Sequence, residues 1–92
     1  MQTSRQTRAD LAQLLAELSY ERKEYAYARQ LLRDSEGQKP LGARQLYFLG
    51  MACWQTKEKA GSQEALKRAL EAGLPEPLSA EARRALEQQD RE

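Results

Sequence analysis

The sequence predicts an all-α domain of about five helices arranged as helix–turn–helix repeats. Three observations lead there. The chain has no Val and no Ile, and Thr stands only at Thr3, Thr7 and Thr56, so a sheet has almost nothing to build from. Ala, Leu, Glu, Gln, Lys and Arg dominate while Gly and Pro number 5 and 3, a composition of strong helix formers. Apolar residues recur at helical spacing in successive stretches, and those stretches repeat at a fixed offset.

The elements follow in order. From about Ser4 to Glu21, Leu11, Leu14, Leu15 and Leu18 form the apolar stripe of a first helix. A second, from about Lys23 to Ser35, carries Tyr25, Ala28, Leu31 and Leu32, and the loop SEGQKP with Gly37 and Pro40 ends it. The third runs from about Leu41 to Gln55. Thr56 reads as the N-cap of a fourth, which carries Ala60, Ala65, Leu66, Ala69 and Leu70. Gly73 is its stop signal, with Pro75 and Pro77 beyond. The last helix, about Leu78 to Gln89, is mostly charged, with Ala82, Ala85 and Leu86 as a thin apolar stripe.

Sliding the sequence by 34 residues aligns Leu15 with Leu49, Ala16 with Gly50, Tyr20 with Trp54 and Leu32 with Leu66. The turn pair Lys23-Glu24 falls on Lys57-Glu58, Ala28 on Ser62 and Ser35 on Ala69. In the first helix of the unit, Leu46, Leu49-Gly50 and Cys53 give a large residue, a Leu-small pair and a further apolar residue. Ala12, Leu15-Ala16 and Ser19 fill the same places more weakly. In the second helix, Tyr25, Ala28, Leu32, Ser35 and Pro40 are answered by Ser62, Leu66, Ala69 and, one place late, Pro75. This pattern resembles the tetratricopeptide repeat family, a helix–turn–helix unit of about 34 residues. Lys59 in place of an aromatic, and Ser19 and Cys53 in place of another, depart from it. The resemblance implies a short right-handed α-solenoid over the single domain 1–92, with repeats at 9–42 and 43–76 and a capping helix at 77–89.

In a repeat stack each unit touches the unit before and after it, so a central helix buries more than one face. That accounts for half of the segment LYFLGMACWQ, which holds three of the six aromatics. Leu46, Leu49, Gly50 and Cys53 are expected against the fourth helix, and Phe48 between repeats. Tyr47, Met51 and Trp54, at i, i+4 and i+7, form a further stripe. The resemblance implies that this stripe lines a concave groove that takes an extended peptide or a helix. Tyr20 and Arg44 complete the expected partner-binding set of Tyr20, Arg44, Tyr47, Met51 and Trp54. The competing expectation is that the last helix folds over the stripe and buries it.

Some members of the family hold a chaperone's C-terminal carboxylate with Lys, Asn and Arg. Here Gln13, Glu17, Phe48, Leu78 and Ala82 stand at those positions and the chain has no Asn, so the expected partner is another protein or peptide with apolar side chains. The second option is a homo-oligomer that uses the groove or an open repeat end.

The remaining chemistry is sparse. There is no His, a single Cys, and no glycine-rich phosphate loop, so neither an enzyme, a cofactor nor a metal site is expected. Cys53 at a core position reads as a small hydrophobe, and one Cys makes no internal disulfide. With 15 basic against 14 acidic residues, and acidic neighbours beside Arg5, Arg8, Arg29 and Arg33, no nucleic-acid partner is expected. No apolar run approaches a membrane span and the start MQTSRQTRAD is not a signal peptide, which makes a cytoplasmic location the simplest expectation.

Overall fold

The computed structural model describes residues 3–91, which form five α-helices and, among the described residues, no strand. They are α1 (Thr3–Glu21), α2 (Tyr25–Glu36), α3 (Ala43–Gln55), α4 (Lys59–Glu71) and α5 (Leu78–Arg91). The body is elongated, 48 × 25 × 20 Å. Each helix packs on the next in sequence, and α3 also touches α1 and α5. The described residues of α1, by contrast, meet neither α4 nor α5.

The 34-residue period is visible in the backbone itself. At the end of α1, Glu24 N–H donates to Ser19 C=O at 2.8 Å and Lys23 N–H to Tyr20 C=O at 2.9 Å. At the end of α3 the same pair recurs, Glu58 to Cys53 at 2.8 Å and Lys57 to Trp54 at 3.2 Å. This is the Schellman closure, in which a left-handed residue returns two amides to the last turn. Lys23 at φ 67° and Lys57 at φ 65° hold that left-handed place, which Gly73 at φ 90° takes at the end of α4. The closure uses two residues beyond the helix end, so α4 starts at Lys59 and α2 at Tyr25. Thr56 is therefore the C-cap of α3 and not the N-cap of α4. Its hydroxyl donates back to Ala52 C=O at 2.9 Å.

The core runs along the middle of the stack. Ala16, Ala28 and Leu32 of the first unit, and Cys53, Ser62, Leu66 and Ala69 of the second, are almost wholly enclosed. α3 is the most buried helix, with Leu46 to Gly50, Ala52 and Cys53 all inside. Gly50 permits its approach to α4: a Cβ there would sit 2.6 Å from Leu66 Cγ and Cδ2. Polar side chains inside the stack are paired across helices. Gln13 Nε2 donates to Ser35 Oγ at 3.3 Å, joining α1 to α2, and Gln89 Nε2 to Ser62 Oγ at 2.8 Å, joining α5 to α4.

One assignment is reversed. The stripe of Leu11, Leu14, Leu15 and Leu18 faces solvent, and the buried line of α1 is Ala9, Gln13, Ala16 and Ser19. The repeat explains why. Leu14, Leu15 and Leu18 are 58, 42 and 51% exposed, while their equivalents 34 residues on, Phe48, Leu49 and Ala52, are 7, 6 and 0% exposed. α3 has a helix on either side of it in sequence, whereas α1 has only α2, so the same face finds no neighbour.

Candidate partner-binding site

The five residues expected to bind a partner divide into two groups. Tyr47 lies inside, 5% exposed, because α5 crosses that end of the stripe. Its hydroxyl donates to Glu81 Oε2 at 3.2 Å and its ring meets Phe48 edge-on at 5.3 Å. Burial, and then the charge of Glu81, push the Tyr47 phenol well above its ordinary value. Tyr20 is half-buried, its ring edge-on to Tyr25 at 5.2 Å and to Phe48 at 5.3 Å. Desolvation is the main cause that raises its phenol pKa as well. These two tyrosines form an aromatic cluster with Phe48 that locks α1 against α3, so as contact residues they are displaced from the expected groove.

Arg44 is exposed on the rim, but it is engaged within the chain. Its Nε donates to Glu17 Oε1 at 2.9 Å and its guanidinium lies 5.4 Å from the centre of the Phe48 ring. Met51 and Trp54 remain half-exposed on the surface of α3. Together with Gln55 they form one wall of a shallow depression of about 240 Å³, closed on the other side by Glu81, Arg84, Ala85 and Gln88 of α5. A second depression of about 540 Å³ opens on the far side of Trp54, against Gln55, Lys57 and Lys59. The indole is thus a ridge between two hollows, with Arg84 on one side and two lysines on the other.

The basic residues of α2 are structural. Arg29 and Arg33 both pair with the Glu58 carboxylate, Arg33 at 2.7 Å. Arg29 Nη1 also donates to Thr56 Oγ1 at 2.7 Å. They tie the first unit to the turn between α3 and α4, and hydrogen bonding from Arg33 is the main cause that holds the Glu58 carboxyl below its usual range. Cys53 lies beneath them, fully enclosed, and accepts from Arg33 Nη2 at 3.6 Å. Burial nonetheless pushes its thiol up, outweighing the nearby guanidinium, so it is a poor nucleophile at neutral pH. Among the described residues no group of His, Cys, Asp and Glu gathers as a metal site, and no helix is long and apolar enough to cross a membrane.

Sequence reasoning missed the solvent face of α1. Leu15, Leu18 and Ser19 line a hollow of about 510 Å³ there with Glu21, Arg22, Glu24 and Tyr27. The signal was present in the offset alignment: Leu14, Leu15 and Leu18 occupy places whose equivalents in α3 require a preceding repeat. No family model, curated protein or solved structure matches the chain.

Proposed function

We propose that the chain is a non-enzymatic scaffold or adaptor module of the tetratricopeptide type, a short right-handed solenoid that holds another protein. The observation that carries this reading is the half-exposed Met51–Trp54 pair, set between two hollows on the helix that is otherwise the most buried in the molecule. A partner segment would seat an apolar side chain beside the indole and meet Arg84, Lys57 and Lys59 with acidic flanks. Exposed Trp and Met at a concave position are the residue types that dominate binding energy at protein interfaces. The enclosed thiol and the paired carboxylates argue against catalysis by this chain.

The test is affinity capture from the source cell's lysate with wild type and a Met51→Ala/Trp54→Ala variant shown to be folded by circular dichroism. A specific partner lost with the folded variant supports the reading. Retention of every wild-type partner by that variant overturns it.

A further inference from the structure

Among the described residues, the large apolar side chains left in solvent are Leu11, Leu14, Leu15, Leu18 and Tyr27, all at one end of the stack. They form a contiguous strip on α1, flanked by Tyr27 from α2, on the order of a few hundred Å², the size at which an apolar patch marks an interaction site. The opposite end differs. Arg83, Arg84, Glu87, Gln88 and Asp90 are the exposed side chains of α5, so that end is finished with polar groups. A second copy therefore has nothing apolar to offer the α1 face except its own α1 face. Head-to-tail stacking would leave the leucines against charge, whereas an isologous two-fold contact covers both strips at once.

The charges along the helix choose the direction. With a two-fold axis between Leu14 and Leu15, an antiparallel pair sets Leu14 opposite Leu15 of the other copy and Leu11 opposite Leu18. The same register sets Arg8 opposite Glu21, both of which are exposed. A parallel pair would bring Arg8 to Arg8 and Glu21 to Glu21. We infer that the chain forms a two-fold dimer through antiparallel contact of α1 with α1 of a second copy. The strip is smaller than the roughly 800 Å² per partner of standard stable complexes, so the dimer is reversible and assembles at on the order of tens of micromolar. This inference goes beyond the groove reading and does not depend on it, since Trp54 lies on α3.

Sedimentation equilibrium from about 1 µM to about 1 mM tests it. Wild type should pass from monomer to dimer, and Leu14→Glu/Leu18→Glu should stay monomeric with unchanged helical content, because both leucines are already in solvent. A wild type that remains monomeric throughout overturns the proposal and leaves the face to a different protein. A dimer that survives the double substitution overturns it too, as does a variant that unfolds, which would make these leucines core. The direction is tested by charge reversal. Arg8→Glu and Glu21→Arg should each weaken the dimer roughly threefold to tenfold, and the two together should restore it. A combined variant weaker than either single one refutes the antiparallel arrangement.

Discussion

Adding one methyl group at Gly50 puts two opposing effects in direct competition. In an exposed helix Gly→Ala is stabilising by about 1 kcal/mol, because glycine loses more backbone freedom on folding. At position 50 the new Cβ would fall 2.6 Å from two carbons of Leu66 and 3.2 Å from its backbone nitrogen. Leu66 is fully enclosed and has no space to retreat into. Overpacking of this kind costs about 1–3 kcal/mol, and a contact this short belongs at the upper end. The steric effect wins: Gly50→Ala should be about 1–2 kcal/mol less stable than wild type. For a domain of this size that lowers Tm by about 4–16 °C, read by circular dichroism during heating. Ala16, the equivalent position of the first unit, already carries the methyl group, so the penalty belongs to the α3–α4 contact and not to the repeat as such. A double-mutant cycle isolates it. In a Leu66→Ala background the space opens, and Gly50→Ala should become neutral or stabilising. A higher Tm for Gly50→Ala in the wild-type background would refute the claim that close approach of α3 to α4 dictates glycine.

Two further perturbations address how the site is held. Tyr47→Phe removes the hydroxyl that α3 offers to Glu81 of α5 while keeping the ring among its aromatic neighbours; a stability loss of about 0.5–1 kcal/mol in urea unfolding is expected, and no change would mean that α5 is held by Gln89 and its alanines alone. Acid should loosen the joint between the two units, because the Glu58 carboxyl is held down by Arg33 and the unfolded chain takes up its proton first. This contribution is complete above about pH 4.3, the ordinary glutamate value, and disappears as pH falls through the lower folded value. Stability measured against pH should therefore show a shallower acid decline in Glu58→Gln, and identical profiles would remove Glu58 from the joint.

The helices, their order and the period were legible because composition and spacing act locally: without Val or Ile, and with turn pairs 34 residues apart, few other structures are available to the chain. The equal closures at Lys23 and Lys57 show how literally the repeat is kept. What could not be read was occupancy. Periodicity identifies a stripe on α1, but whether Leu14, Leu15 and Leu18 are inside depends on a neighbouring helix, and α1 has one only on its α2 side. The line that is buried is made of small and polar residues, Ala9, Gln13, Ala16 and Ser19, which carries little hydrophobic signal. Tyr47 fails for the opposite reason. Its spacing from Met51 and Trp54 is right for one stripe, but α5 covers its end of that stripe and leaves the other two half-exposed. Thr56 has the chemistry of an N-cap, and only the two-residue closure after α3 turns it into a C-cap.

The order in which helices touch has a kinetic side. Because each helix rests mainly on its sequence neighbours, few contacts demand that distant parts of the chain find one another before anything is gained. Such a chain assembles like a zipper, from whichever hairpin is most self-sufficient, and comes apart from its ends. The α3–α4 hairpin, with the closest approach and the most enclosed side chains, is the natural seed. α5 lies at the other extreme, held by one thin stripe and a few polar ties. Its brief detachment would uncover Tyr47 beside Met51 and Trp54 without disturbing the seed, so the full aromatic surface exists as a minor, reversible opening of the folded protein.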